Sequence, residues 1–215
     1  MIPHFSADSL PATIPVFPLT GALMLPRAEL PLNIFEPRYL AMVRDAMAGD
    51  RLIGMVQPKD ENERPELFAI GGLGRITQFS ETGDGRVLIA MIGLTRFRIG
   101  RELAVETPYR QVVADYAPFA GDWRDADPLP AAVRADLEGS LRSYLDSQGL
   151  SADWDAVANA DDESLVNTLT SVCPFDIAEK QALLEAAALR DRASVLAALM
   201  IFASPADDNG RATLH

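Results

Sequence analysis

The stretch Ile14-Pro15-Val16-Phe17-Pro18-Leu19, followed by Leu23-Met24-Leu25-Pro26 and by Leu30-Pro31-Leu32-Asn33-Ile34-Phe35-Glu36-Pro37-Arg38-Tyr39, decides the fold class. It consists of short apolar runs of strand length interrupted by proline. Proline has no amide hydrogen to give to a ladder, which confines such runs to sheet edges, strand starts or bulges. The stretch leads straight into a helix whose limits are written in the residues: Glu36 at the cap, Pro37 where a missing N–H costs nothing, and Gly49 just past the end. Leu40, Val43 and Met47 form the predicted apolar face of that helix.

Outward from this stretch, strand periodicity prevails to about residue 118. Ile14 to Leu19, Glu29 to Phe35 and Leu52 to Gln57 are the first strands. A hairpin joins Gly74–Ser80 to Arg86–Ile92 through Thr82-Gly83-Asp84-Gly85, where glycine permits positive φ. A second pair, Arg96 to Val105 and Tyr109 to Tyr116, turns at Thr107-Pro108. Together they predict a meandering sheet or small barrel. After Pro118 the pattern turns helical. Asp127-Pro128 reads as cap and first turn, Leu129, Val133, Leu137, Leu141 and Leu145 recur at four-residue spacing, and Gly149 ends the helix. Asp176 with Glu179 forms a capping box, and Val195, Leu196, Leu199 and Met200 supply a last apolar helix. The expected fold is α+β, with a β-rich region over residues 1–118, a helical bundle over 119–204 and a flexible tail over 205–215.

Charge supports this division. Residues 1–118 carry 12 basic and 14 acidic side chains, and residues 119–215 carry 7 and 17. The net charge of −12 repels phosphate backbones and anionic lipid headgroups. Cys173 is the sole cysteine, so no internal disulfide and no paired-cysteine metal site is expected, which fits a reducing compartment. The first basic residue is Arg27, so no signal peptide is expected. No apolar run reaches the roughly 20 residues a membrane-spanning helix needs.

Catalytic chemistry finds little to use. The histidines are His4 and His215, and the lysines are Lys59 and Lys180. Nucleophilic catalysis by serine or cysteine requires a neighbouring base, and a P-loop requires Gly-Lys-Ser/Thr; neither arrangement is present. Gly71-Gly72-Leu73-Gly74 lacks the following helix of a dinucleotide site and reads as a turn or bulge. Cys173 reads as a small buried hydrophobe. Asp60-Glu61-Asn62-Glu63, Asp122/Asp125/Asp127 and Asp161-Asp162-Glu163 read as hydrated loops or helix starts. A non-catalytic chain without cofactor or metal is expected.

The Pro-x-Phe-Pro-Leu, Leu-Pro-Leu and Ile-Phe-Glu-Pro-Arg-Tyr elements of the opening stretch resemble the amino-terminal domain of the ATP-dependent Lon protease. The similarity continues at Ala48-Gly49-Asp50-Arg51, Gly72–Ile76, Asp84-Gly85-Arg86, Gly93–Ile99 and Glu179–Glu185. It implies a PUA-like β-domain, a twisted sheet or pseudo-barrel with one inserted helix, followed by a helical bundle. It also implies a stand-alone polypeptide-recognition or adaptor module without the ATPase and serine–lysine peptidase domains of the protease. The implied partners are unfolded or client polypeptides and components of the proteolysis machinery, in the cytoplasm. Leu23, Met24, Leu25, Phe35, Glu36, Arg38 and Tyr39 are the candidate binding residues, with Leu23–Pro26 as an exposed apolar segment. An RNA-binding reading, carried by Arg96, Arg98, Arg101 and Arg110 on one face of the sheet, and a small-ligand pocket are the alternatives.

Overall fold

The computed structural model describes residues 9–204, so His4, His215 and the expected tail lie outside the described residues. The strands are β1 (Thr13–Pro18), β2 (Glu29–Ile34), β3 (Leu52–Val56), β4 (Ile70–Glu81), β5 (Val87–Glu102) and β6 (Arg110–Asp115). The helices are α1 (Pro37–Ala48), α2 (Ala131–Ser147), α3 (Trp154–Asn159), α4 (Asp162–Val172), α5 (Ile177–Glu185) and α6 (Leu189–Ala203), and Ala117–Trp123 forms a short 3-10 segment. Contacts divide the chain into two units. The first runs to Ala126 and takes back Ser171–Glu185, and the second holds Asp127–Thr170 and the residues from Ala186 onward. The division differs from the boundary expected at 118/119: the 3-10 segment stays with β5 through Asp122 and Arg96, and α5 packs with the strands.

In the first unit the strand order is β2-β5-β4-β3-β1-β6, and a further pairing of β5 with β6 closes the sheet on itself. Closure is possible because β5 is one 16-residue strand. Its first half pairs with β2, from Val87↔Ile34 to Ile92↔Glu29, and its second half pairs with β6, from Arg98↔Asp115 to Glu102↔Val112. β1 and β3 are parallel, joined by the crossover that contains β2 and α1. The strands expected at Arg86–Ile92 and Arg96–Val105 are one strand that runs through Gly93 without a break. A Cβ there would lie 1.9 Å from the Leu25 carbonyl oxygen, and one at Gly72 would lie 1.8 Å from that of Met24. The Leu23–Pro26 segment thus crosses these strands at backbone contact, and hydrogen bonds from Arg27 N to Gly93 O (2.8 Å) and from Gly93 N to Ala28 O (2.9 Å) lead it into β2. The expected irregularity in Gly71–Gly74 is a register shift between Leu73 and Gly74.

Helix α1 begins after Glu36, has proline in its first turn and stops at Gly49, as its residues predict. Its buried face is Tyr39, Met42, Val43 and Ala46, not Leu40, Val43 and Met47, which are only partly buried apart from Val43. The tyrosine brings the i, i+3, i+4, i+7 stripe one residue round. This face joins Phe17, Met24, Ile34, Ile53, Met55, Ile76, Ile89 and Met91 in one core, and a second core gathers around Phe97.

Buried polar groups fix α5 and the 3-10 segment to the strands. Arg96 donates from its backbone N (2.9 Å) and Nε (3.0 Å) to Asp122 Oδ2, from a terminal nitrogen to Asp122 Oδ1 (2.7 Å), and from the other to the Leu184 carbonyl (3.1 Å). Gln57, fully buried, accepts from Gly21 N (3.2 Å) and donates to the Ile177 carbonyl and to Gln181 Oε1 (both 3.1 Å). Gln181 donates onward to the Ile70 carbonyl (3.0 Å). Lys180 donates to the carbonyls of Gly21 (3.1 Å) and Ser171 (3.3 Å). The predicted capping box starts α5: Asp176 N donates to Glu179 and Glu179 N to Asp176, both at 2.8 Å.

In the second unit α2 begins at Ala131, later than the expected Asp127-Pro128 start. Asp127 and Leu129 each precede a proline and are pushed out of the helical region, and the Leu129 N–H is taken by Asp162 (2.7 Å). Gly149, at φ +66°, follows the end of α2. Arg134 ties α2 to Asp162 (2.8 Å) and to the Val157 carbonyl (2.6 Å). Helices α3 and α4 have no apolar period long enough to announce them, although Asp153 and Asp161 cap their starts with side-chain bonds to Ala156 N (3.0 Å) and Ser164 N (2.9 Å).

Two outcomes follow for stability. Gly72→Ala and Gly93→Ala each lower unfolding free energy by about 3 kcal/mol or more, at the upper end of overpacking costs. Gly83→Ala, facing open space, changes it by less than about 0.5 kcal/mol. Asp122→Ala, which strips the buried Arg96 of its carboxylate, costs about 3–5 kcal/mol. Denaturant unfolding of the variants checks both.

Candidate functional site

A cleft of about 1050 Å³ opens in the first unit. Its walls are built by the end of β1 (Pro18, Thr20), the first turn of α1 (Arg38, Tyr39), the Pro58–Pro65 loop, and the end of β5 with the following loop from Glu102 to Tyr109. A short polar set links the two loops. Glu102 accepts from Arg110 Nε (3.0 Å) and from Arg64 (2.7 Å), and Arg110 also donates to the Pro65 carbonyl (2.7 Å). The hydrogen bond from Arg110, with that from Arg64, holds the Glu102 carboxyl below the usual range. The Pro58–Pro65 loop is pinned at its base by the Lys59–Glu66 ion pair and by Lys59 N donating to the Glu66 carbonyl (2.7 Å). Asp60 accepts from Asn62 N (2.9 Å) and Glu66 N (3.2 Å), and the Asn62 amide above all lowers its pKa.

Tyrosines form the inner surface. Tyr39 is buried, with its ring 4.0 Å from that of Phe17 and the Arg38 guanidinium 4.6 Å above it. Burial, the largest influence, raises its pKa. Tyr109 donates to Asp45 Oδ2 at 2.6 Å, which ties the β5–β6 loop to α1. Burial and then the Asp45 carboxylate push Tyr109 up to about 12. Leu103, Val105, Pro18 and Pro108 add apolar surface.

Of the sequence candidates, the cleft takes in Arg38 and Tyr39. Glu36 pairs with Arg38 (2.8 Å) at the rim of α1. Phe35 lies elsewhere, 60% exposed, with Arg86 5.6 Å from its ring. Leu23, Met24 and Leu25 are buried, which corrects the expectation of an exposed apolar segment. Their apolar side chains enter the core because the sheet glycines let the backbone lie flat, and Leu23 and Leu25 pack with Leu184 of α5. The arginines offered for RNA do not make a free basic face: Arg96 is buried on Asp122 and Arg110 is engaged by Glu102, while Arg98 and Arg101 are exposed. Sequence reasoning missed the Pro58–Pro65 and Leu103–Tyr109 loops as walls of one cleft. The prolines that bound the first loop, Pro58 and Pro65, and Pro108 within the second were the available signal.

Residues that could have served catalysis have other partners. Lys180 is buried on carbonyls and Lys59 is paired with Glu66. Cys173 is buried, and burial raises its thiol pKa, so it is a packed neutral thiol as its sequence setting suggested. No group of three or more acidic, histidine or cysteine side chains is placed to hold a metal among the described residues, and no helix there is long and apolar enough to cross a membrane.

Comparison with known proteins places this architecture. The family described as the ATP-dependent protease La (LON) substrate-binding domain matches residues 13–201. The Lon protease of Flavobacterium johnsoniae is 27% identical over 193 residues, covering 86% of this chain and 23% of the relative. The chain therefore spans less than a quarter of that relative's length. The crystal structure of a Lon N-terminal domain protein from Xanthomonas campestris superposes with a TM-score of 0.63 at 22% identity, covering 86% of this chain and 97% of that one. The N-terminal domain of a Mycobacterium avium complex Lon protease gives 0.62 at 19% identity, covering 87% and 97%. At such identities the likeness is one of fold.

Two measurements probe the site. Arg38→Ala lowers stability by less than about 1 kcal/mol, because its pair with Glu36 is largely solvated; thermal unfolding checks this value. Tyr109 has its folded pKa raised above the ordinary 10, so its contribution is complete below pH 10 and is lost as pH rises from 10 through about 12. Unfolding free energy therefore falls across that window, and falls less in Tyr109→Phe.

Proposed function

We propose, from the premise that the chain belongs to the family of ATP-dependent protease La (LON) substrate-binding domains, that it is a non-catalytic module that binds unfolded or client polypeptides. The observation that carries this reading is the pairing of that family match with a cleft large enough for several side chains, at the upper end of ordinary ligand sites. Its lining suits a peptide. Proline and tyrosine rings give rigid apolar contact at low entropic cost, and the Thr107-Pro108 and Pro58–Pro65 loops wall the cleft on either side. The family match over residues 13–201 is to a substrate-binding domain, which supports recognition as the role of this region. Components of a proteolysis machinery are the partners in this reading, and the cytoplasm is the compartment.

The polypeptide reading also accounts for the arginines better than an RNA reading does. Arg96 and Arg110 are engaged within the first unit, and the net charge of −12 opposes a phosphate backbone.

Titration of fluorescent, unstructured peptides by anisotropy is expected to show saturable binding in the micromolar range, with the peptides intact afterwards on a gel. Leu103→Asp combined with Val105→Asp is expected to weaken binding about tenfold, the loss of ~1.4 kcal/mol of apolar contact, while leaving the melting temperature in place. Absence of binding at high micromolar protein would defeat the proposal, and cleavage of the peptides would defeat its non-catalytic part.

A further inference from the structure

We propose that the cleft selects extended segments in which a lysine or arginine stands beside an apolar residue; this rests on the polypeptide-binding reading and specifies its substrate class. The argument is one of charge left over. The cleft is lined by three arginines, and each has a carboxylate partner: Arg38 on Glu36 (2.8 Å), Arg64 on Glu102 (2.7 Å) and Arg110 on Glu102 (2.5 Å). Asp60 is occupied by two backbone amides. Glu61, Glu63 and Glu106 also line the cleft, are exposed, and have no ion-pair or hydrogen-bond partner among the described residues. The charge still open to a ligand is therefore negative, and it comes from both loops: Glu61 and Glu63 from one wall, Glu106 from the other.

The apolar part of the preference comes from the same walls. Val105, 38% exposed, stands beside Glu106, and Leu103, Pro108 and the two tyrosines continue the surface inward. Tyr39 adds a polar handle, since its ring is packed while its hydroxyl has no hydrogen-bond partner among the described residues. A lysine or arginine with an apolar neighbour fits such a surface. Its aliphatic stem lies along apolar and aromatic groups while its charged end reaches the carboxylates at the rim. A neighbouring leucine or tyrosine of the ligand fills the apolar floor. An acidic segment meets like charge at three positions.

The test uses the full chain and three unstructured peptides of equal length and identical leucine and tyrosine content, whose remaining positions are lysine, glutamine or glutamate. Anisotropy titrations are run on the wild type, on the triple variant Glu61→Gln, Glu63→Gln, Glu106→Gln, and on a control pair of exposed carboxylates outside the cleft, Glu29→Gln with Glu81→Gln. At low salt the lysine peptide is expected to bind about fivefold or more tighter than the glutamine peptide, and the glutamate peptide more weakly than both, as a few solvated ion pairs allow. The preference is expected to vanish in the triple variant and shrink at ~0.5 M salt, and to survive in the control pair. A preference that persists in the triple variant, or equal binding of all three peptides, overturns the inference and leaves the polypeptide reading standing. Failure of all three to bind overturns both.

Discussion

Backbone-to-backbone contact between the Leu23–Pro26 segment and the glycines of β4 and β5 is the constraint on which the first unit depends. Two chains of peptide groups approach there to distances at which a single methyl would collide. That approach lets the chain leave β1, cross the sheet, and return as β2 along the first half of β5. Because β2 occupies only that half, the second half of β5 is left for β6, and the ring of strands closes. Helix α1 then follows from β2 and lays its tyrosine and methionine face on the core so formed. The cleft inherits its geometry from this sequence of events, since its walls are the exit of β1, the start of α1 and the loop that leaves β5.

A second layer of specification is polar. Burying Arg96, Asp122, Gln57 and Gln181 costs solvation that is recovered only if each donor and acceptor finds a partner. Here they do, and the partners come from distant parts of the chain: Gln57 to Gln181, Arg96 to Asp122 and to the carbonyl of Leu184. Hydrophobic contact alone would tolerate many positions for a short helix, whereas amide and guanidinium geometry tolerates few. The polar groups thus set where α5 lies, and the apolar contacts of Leu184 with Leu23 and Leu25 follow.

Much of this was legible from residue chemistry. Pro37 and Gly49 mark α1, Asp176 and Glu179 mark α5, and Gly85 at φ +83° marks the β4–β5 turn, because in each case a local requirement selects the residue. What was not legible depended on partners remote in sequence. Gly93 looked like a strand end because its reason for being glycine lies at Leu25. Leu23–Leu25 looked like an exposed apolar surface for the same reason seen from the other side. Arg96 looked available for a ligand, yet its carboxylate stands 26 residues further on. The cleft combines two loops some forty residues apart, and neither has a periodic pattern.

The return of Ser171–Glu185 to the first unit has a consequence for synthesis. The chain passes between the units three times, after Ala126, after Thr170 and after Glu185. A ribosome delivers the strands first and Asp122 soon after for Arg96, but Gln57 and one terminal nitrogen of Arg96 must wait for the partners carried by α5. Only when Glu185 has cleared the exit can the first unit settle. Within the first unit α5, the last of its elements to be made, completes the hydrogen bonding of strands made well before it.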